Sequence, residues 1–164
     1  MIVRRLTAAD LPACLELFVE VAAEGQWLAT EPPIDRREVR ASWEALLASG
    51  QGTLFLAEDA PGGPPLGLAA MVGQARPELG MLVARAHRRR GVGEALLRAA
   101  LEWARGVAAP EVVLHVFPHN EAALALYRAH GFQDRGRLQR AYPRRSGERW
   151  DAIRMVLDLY PAPG

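Results

Sequence analysis

The chain has 164 residues, of which 50% are hydrophobic and 24% charged, a composition that excludes a disordered chain and suits a folded globular protein. No apolar run is long enough to span a membrane, no apolar leader follows Met1, and a single cysteine excludes an internal disulfide. The net charge is only +1, but residues 1–80 carry six arginines against eleven acidic residues, and residues 81–164 carry fourteen against eight. We therefore expect one domain over residues 1–164 in the reducing cytoplasm, with any anionic ligand bound by the second half.

The first half of the chain predicts one strand, two helices and three further strands. Apolar residues recur at helical spacing after Asp10, and Asp35 has the pattern of a helix N-cap. Pro32 and Pro33 lie between these two predicted helices and prevent one helix from continuing into the other. In chain order the predicted elements are a strand at 2–6, helices at 10–24 and 35–49, and strands at 53–59, 66–74 and 78–85.

The second half predicts two amphipathic helices, one buried strand and a final pair of strands. The second helix is closed by Gly131, and the last two strands flank a loop that turns at Ser146–Gly147. The predicted elements are helices at 91–107 and 120–131 and strands at 111–117, 132–138 and 150–159. The order β-α-α-β-β-β-α-β-α-β-β predicts a mixed α+β fold and not the regular alternation of a doubly wound sheet.

Arginines and glycines cluster where a predicted strand ends and the helix at 91–107 begins, in the stretch "HRRRGVG", His87–Gly93. The first N–H groups of a helix lack internal partners and the helix dipole is positive there, so this turn is a candidate anion site. Gly91 and Gly93 allow the backbone to approach a pyrophosphate, and Arg88–Arg90 add positive charge. The chain contains no lysine, which excludes a P-loop, and a dinucleotide fingerprint would need a third spaced glycine. A solvated basic turn is the alternative.

Two motifs together resemble those of one enzyme superfamily. The stretch "VARAHRRRGVGEALL" resembles the acetyl-CoA-binding signature of the GNAT acetyltransferases, Arg/Gln-x-x-Gly-x-Gly/Ala, at Arg88, Gly91 and Gly93, with its preceding valine at Val83. The stretch "NEAALALYRAHGFQ" is similar to a second GNAT signature, and the matching residues are Asn120, Ala123, Tyr127, Gly131 and Phe132. The resemblance implies the GNAT acyl-CoA N-acyltransferase fold, a central, mostly antiparallel sheet of six or seven strands flanked by about four helices.

The resemblance implies that acetyl-CoA is the cofactor and that its acetyl group passes directly to a primary amine of a small molecule or protein. It places the pyrophosphate on the backbone of the turn Arg88–Gly93, which includes Arg89, Arg90, Gly91 and Val92. It places the pantetheine arm along backbone groups of Leu82, Val83 and Ala84, at the edge of a strand that splays from its neighbour. For the side chains of Leu82 and Val83 the alternative role is the hydrophobic core.

Asn120 and Tyr127 lie on one face of their helix and can contact the same cofactor. Tyr127 matches the residue that protonates the leaving thiolate in many relatives, although a core tyrosine is the alternative. Glu78 resembles the base of some relatives, which removes the proton of the attacking ammonium. Alternatively, Glu78 is simply an exposed carboxylate. His115 and His119 are lesser candidates for the base.

The resemblance places the amine acceptor between two loops, at 25–35 and 139–149. In the first loop Trp27 offers an aromatic wall and Glu31 a partner for an ammonium group. The second loop offers Tyr142 and three arginines, Arg144, Arg145 and Arg149, and the arginines would favour an acidic acceptor or simply solubilise the hairpin. The acceptor itself does not follow from the sequence.

Two functions of other classes stay open. One is a catalytically silent module that binds acetyl-CoA and regulates a partner, and an intact Tyr127 disfavours it. The other is nucleic-acid binding through Arg88–Arg90 and Arg135–Arg149, which near-neutral net charge and the lack of aromatic residues beside the first cluster disfavour. We expect no nucleic-acid, membrane or metal partner, and the resemblance also allows a homodimer.

Overall fold

The computed structural model describes residues 1–163, which form one seven-stranded sheet with helices on both faces. The helices are α1 (Leu11–Ala23), α2 (Arg36–Ser49), α3 (Val92–Gly106) and α4 (Glu121–Ala129). The strands are β1 (Ile2–Arg5), β2 (Gly52–Glu58), β3 (Gly67–Val72), β4 (Glu78–Val83), β5 (Glu111–Val116), β6 (Gln133–Pro143) and β7 (Arg149–Asp158). The predicted order of elements and the mixed α+β class are confirmed.

The sheet has the strand order β1-β2-β3-β4-β5-β7-β6. Every neighbouring pair is antiparallel except β4 and β5, which run parallel and pair at one position, Glu78 opposite Val113. The prediction of a mostly antiparallel sheet of six or seven strands is therefore confirmed. The weak β4–β5 junction divides the sheet into two antiparallel halves.

Alternation along the strands assigns each side chain to one face of the sheet. One face packs against α3 and α4, and its β4 and β5 members include Leu79, Met81 and Leu114. The other face packs against α1 and α2, and Leu82 and Ala84 belong to it. Glu78 shares the face of Leu82, and His115 shares it too because its strand neighbours Leu114 and Val116 belong to the opposite one.

Helix α3 is the centre of the larger core because one side of it is apolar throughout. Seven of its fifteen residues are buried, and these are Val92, Leu96, Leu97, Ala100, Leu101, Trp103 and Ala104. Burial of that face fixes which side of the helix lies on the sheet, and the N-terminal residues 92–94 lie at the gap between β4 and β5.

Strand β6 is longer than the sequence indicated. It extends to Pro143 instead of ending at Leu138, so the expected acceptor loop begins inside the strand. Its ladder with β7 is irregular between Leu138 and Tyr142, and Arg140 there has a left-handed backbone with φ 52°. The strand lies at the edge of the sheet and most of its side chains are exposed, so the apolar alternation that marks a half-buried strand is absent.

Within residues 1–163, no helix combines the length and the apolar character that a crossing of the membrane requires.

Candidate active site

A slot between β4 and β5 begins just beyond their single pair. The Val113 N–H donates to the Pro77 carbonyl at 3.0 Å, and from there the two strands separate. The slot opens into a cleft of about 710 Å³ that reaches both faces of the sheet. Both sequence motifs line it, through the turn at 87–94 and through α4.

The open edge of β4 presents the backbone groups of alternate residues. Because the Pro77 carbonyl points toward β5, the polar backbone groups of Met81 and Val83 face the slot as well. Leu82 faces β3, and the Ala84 N–H donates to the Leu66 carbonyl at 2.8 Å. Of the three residues expected to serve the pantetheine arm, only Val83 presents its backbone groups to the slot, and Met81 presents its own as well.

The turn before α3 has the backbone geometry of an anion site. Gly91 has φ 81° and Arg89 has φ 62°, so the chain turns sharply into the helix. The first helical bond runs from the Ala95 N–H to the Gly91 carbonyl at 3.1 Å, which leaves the N–H groups of residues 92–94 without helical partners. The Val92 side chain is buried, so only its backbone can serve a ligand. A Cβ on Gly93 would approach the Met81 and Val83 side chains at the wall of the slot.

The three arginines of the turn have different roles, which the sequence did not separate. Arg88 donates through its two terminal nitrogens to the Glu24 carboxylate at 2.7 and 2.6 Å, and through Nε to the Val83 carbonyl at 3.1 Å. The hydrogen bonds from Arg88 hold the pKa of Glu24 below its ordinary value, so the pair stays ionised. The charge of Arg88 is thereby neutralised. Arg89 lines the cleft, whereas Arg90 lies outside it, bonded to His87.

The second motif places two side chains against the cleft from α4. The Asn120 side-chain oxygen accepts from the Ala123 N–H at 3.3 Å and caps the helix, so this residue both starts α4 and lines the slot. Tyr127 is buried beside Phe132, and its ring contributes to the core. Burial raises the pKa of Tyr127, which keeps its hydroxyl protonated. This hydroxyl has no hydrogen-bond partner among residues 1–163.

Titratable groups meet on the opposite face of the sheet, where the slot begins. His115 Nδ1 lies 2.8 Å from the Tyr142 hydroxyl and 3.9 Å from a Glu78 oxygen, and all three residues line the cleft. Burial, and then the charge of Glu78, raise the pKa of Tyr142. Tyr142 stays protonated and is therefore not the base of this cluster. Glu78, whose side chain is half exposed, and His115 can accept a proton there.

The two expected acceptor loops meet, but through contacts that the sequence did not predict. The Arg144 side chain is buried, lies 4.0 Å from the centre of the Trp150 ring, and donates to the carbonyls of Gly25, Leu28 and Ala29. It is also 3.3 Å from Glu31, whose other oxygen accepts from the Arg145 N–H at 2.8 Å.

Glu31 is therefore occupied by the 139–149 loop and lies outside the cleft, whereas Trp27 lines the cleft as expected. Arg144 is not available to an acidic acceptor, Arg145 donates to the Glu31 and Pro33 carbonyls, and Arg149 donates to the Arg140 carbonyl. The expectation that these arginines attract an acidic acceptor loses its basis.

The sequence matches a family model described as "Acetyltransferase (GNAT) family" over residues 19–132, more than two thirds of the chain. The chain belongs to that family. The match spans the slot, the turn before α3 and both motifs, and it confirms the family that the motifs predicted.

Individual relatives agree with the GNAT assignment. A stretch of 73 residues is 49% identical to N-alpha-acetyltransferase RimI of Mycobacterium tuberculosis, covering 44% of this chain and less than half, 42%, of that relative. Ribosomal-protein-alanine N-acetyltransferase from Brucella melitensis has a similar structure, with TM-score 0.87, 25% identity, and coverage of 97% of this chain and 100% of that one. Phosphinothricin acetyltransferase from Sinorhizobium meliloti, solved in complex with acetyl-CoA, shares the fold with TM-score 0.85 at 21% identity, covering 96% of this chain and 88% of that one.

Sequence reasoning missed two residues of the site. Glu24 gave no local signal, because its partner is 64 residues away. Met81 would have required the register of β4. Tyr142 was expected as part of the second acceptor loop and lines the cleft, although it lies in strand β6 and not in a loop. Among residues 1–163, no group of three or more His, Cys, Asp or Glu side chains is arranged to hold a metal ion.

Proposed function

We propose that this GNAT-family protein transfers the acetyl group of acetyl-CoA to a primary amine, and that the amine belongs to a peptide or protein N-terminus. The observation that carries the proposal is the slot between β4 and β5, with unpaired N–H groups at one end and proton-accepting side chains at the other. Family membership and the acetyl-CoA complex of a protein with the same fold support it.

The cofactor fits two features of the slot. The free N–H groups of residues 92–94 and the positive end of α3 suit a pyrophosphate, with Arg89 as the neighbouring cation. The backbone of Met81 and Val83 suits the amides of an extended arm, which would pair like an added strand. Asn120 reaches the same space from α4. When bound, acetyl-CoA supplies the activated acetyl group.

The chain would handle protons from opposite faces of the sheet. On the face of α1 and α2, Glu78 and His115 would take the proton of an approaching ammonium group, directly or through water. On the face of α3 and α4, the protonated Tyr127 hydroxyl would donate a proton to the departing sulfur. All three residues line the same slot, so both sets of groups would face one reacting centre.

The choice of a peptide N-terminus rests on the charge of the acceptor end of the slot. We define that end by the lining residues Trp27, Leu28, Ala29, Glu78, His115, Phe117 and Tyr142. These side chains include one carboxylate, several aromatic rings and no arginine. A free amino acid would bring a carboxylate close to Glu78, whereas a peptide N-terminus has an uncharged amide in that place. The name of the RimI relative, an N-alpha-acetyltransferase, points to the same class.

The proposal extends to a single domain over residues 1–164 and to a cytoplasmic setting, in line with the sequence analysis. A silent acetyl-CoA-binding module is the rival. It shares the cofactor end of the slot but needs no proton-handling groups, so the Glu78–His115 contact and the free Tyr127 hydroxyl argue against it.

Thiol release from acetyl-CoA tests the proposal. The acceptors would be a short peptide with a free N-terminus and an amidated C-terminus, the same peptide with its N-terminus formylated, and the free amino acid of its first residue. We expect turnover with the first, none with the second, and a much lower kcat/KM with the third. Saturable acetyl-CoA binding without turnover on any amine would favour the silent module, and equal use of the amino acid would contradict the peptide assignment.

A further inference from the structure

Trp27 lies across the mouth of the slot. Its indole is 5.8 Å from the Arg88 guanidinium, which belongs to the turn after β4, and its centre is 5.7 Å from the centre of the His119 ring, which follows β5. These two contacts are on opposite sides of the opening. A ligand in the slot would therefore run beneath the Trp27 ring, an aromatic bridge that comes from the loop between α1 and α2.

The Glu24 carboxylate links Trp27 to the turn Arg88–Gly93, which we call the cofactor turn. Glu24, the residue after α1, accepts from both terminal nitrogens of Arg88 and also from the Trp27 indole N–H at 3.2 Å. The same Arg88 donates to the Val83 carbonyl at the open edge of β4. Glu24 thus joins three parts of the site: Trp27 at the acceptor end, the turn Arg88–Gly93 and the open edge of β4.

The surrounding backbone leaves the bridge few other positions. Gly25 has φ 68°, which turns the chain back over the slot directly after α1. The Gln26 carbonyl accepts from His119 Nε2 at 2.6 Å, and the Gly25 carbonyl accepts from Arg144 at 3.2 Å. These bonds fix the path of the backbone, and the hydrogen bond from the indole N–H to Glu24 orients the ring toward the turn Arg88–Gly93.

We propose that Glu24 is a positioning residue that holds Trp27 across the slot and thereby couples acetyl-CoA binding at the turn to amine binding at the acceptor end. The inference rests on the proposed function, since it concerns the same slot. Order imposed on Arg88 by one ligand lowers the cost of ordering Trp27 for the other, and the reverse holds by thermodynamic reciprocity. The wild type should therefore bind coenzyme A more tightly when the peptide acceptor is present.

Two variants test the coupling. Glu24→Gln keeps the shape of the side chain but removes the charge that Arg88 and Trp27 share, and Trp27→Phe keeps a ring but removes the N–H donor. Each should raise the KM of the peptide acceptor about tenfold, the loss expected for one hydrogen bond to a charged group, with kcat less affected. In Glu24→Gln the affinity for coenzyme A should no longer respond to the peptide.

The double variant separates positioning from general damage. If Glu24 acts through the indole, Glu24→Gln combined with Trp27→Phe should raise KM no further than Glu24→Gln alone. The control is Glu16→Gln, within α1, where an exposed carboxylate pairs with Arg36 at 3.0 Å and neither residue lines the slot; it should leave both ligands unaffected. Should Glu24→Gln fail to fold, as judged by circular dichroism, the same coupling is measured on Trp27→Phe.

The results separate this inference from the proposed function. A wild type that binds no acetyl-CoA overturns the proposed function. A wild type that binds and turns over, with Glu24→Gln coupled like the wild type or with losses that multiply in the double variant, overturns the role of Glu24 alone.

Discussion

The two ends of the slot use the chain in different ways. At the cofactor end the groups proposed to bind the ligand belong to the backbone: the N–H groups that open α3 and the edge of β4 that faces the slot at Met81 and Val83. At the acceptor end they are side chains, brought from four separate segments, such as Glu78, His115 and Tyr142. A backbone site needs only a local conformation, whereas a side-chain site needs long-range contacts, and this difference explains which end a short motif can encode.

The largest effect should come from changing the backbone at the cofactor end. Gly91→Glu places a bulkier residue at φ 81° and a negative charge where the phosphates would bind, so acetyl-CoA affinity should fall by more than about 100-fold. Gly50→Glu is the matched control, because Gly50 also has a left-handed backbone, φ 66°, and open space around it, but caps α2 away from the slot. Calorimetric titration should show binding lost in the first and kept in the second. Equal affinity in both would contradict the anion site.

The second largest effect should come from removing the proposed proton donor. Tyr127→Phe keeps the ring in the core, so acetyl-CoA affinity should change little, while kcat should fall about 100-fold, the typical contribution of a general acid. Burial raises the pKa of Tyr127 above its ordinary 10.0, so ionisation of this residue should not lower the wild-type rate below that pH. Tyr160→Phe, at an exposed position, is the control. An unchanged kcat in Tyr127→Phe would remove the donor from the mechanism.

A smaller effect is expected on the opposite face. Glu78→Gln should lower kcat/KM about tenfold, because water can still relay the proton to His115. Glu111→Gln, at the head of β5 and paired with Arg76, is a control that should change nothing. If Glu78 and His115 act as a unit, His115→Gln should lower kcat/KM by a smaller factor in the Glu78→Gln variant than in the wild type. Full activity of Glu78→Gln, measured by thiol release, would rule out a base at this position.

The smallest change in activity should follow substitution of a residue that the sequence assigned to the acceptor. Glu31→Gln lies outside the slot, so kcat/KM should stay within about twofold. Stability should fall, because the variant weakens bonds to the buried Arg144 and to the Arg145 N–H, each worth about 1.5–3 kcal/mol when a charge is involved. Thermal unfolding and steady-state rates measured together check this. A large rise in acceptor KM without loss of stability would restore Glu31 to the acceptor site.

These predictions follow the division between what the sequence could and could not predict. The turn at Arg88–Gly93 was predictable because glycine, arginine and a helix start specify it locally. The position of Tyr127 in the cleft was predictable because it shares a helix face with Asn120 in a second motif. The fold followed from the order of helical and strand patterns, except at the exposed edge strand β6, which lacks an apolar alternation.

The acceptor end was less predictable because its contacts join distant parts of the chain. Arg144 looked like a surface arginine but is buried among carbonyls that are more than 110 residues away in the sequence. Arg88 looked like a phosphate ligand but is neutralised by Glu24. The strand edge was shifted by one residue, from Leu82 to Met81, because only the pairing with β3 decides which backbone groups are free.

The most direct test of the central claim is calorimetric titration of the wild-type protein with acetyl-CoA, with coenzyme A and ATP as controls. The slot has donors for the pyrophosphate and a strand edge for the pantetheine arm, and ATP lacks that arm. We predict saturable binding of acetyl-CoA and coenzyme A, with little or no heat from ATP. No binding at millimolar acetyl-CoA, or binding of ATP as strong as that of coenzyme A, would contradict the account.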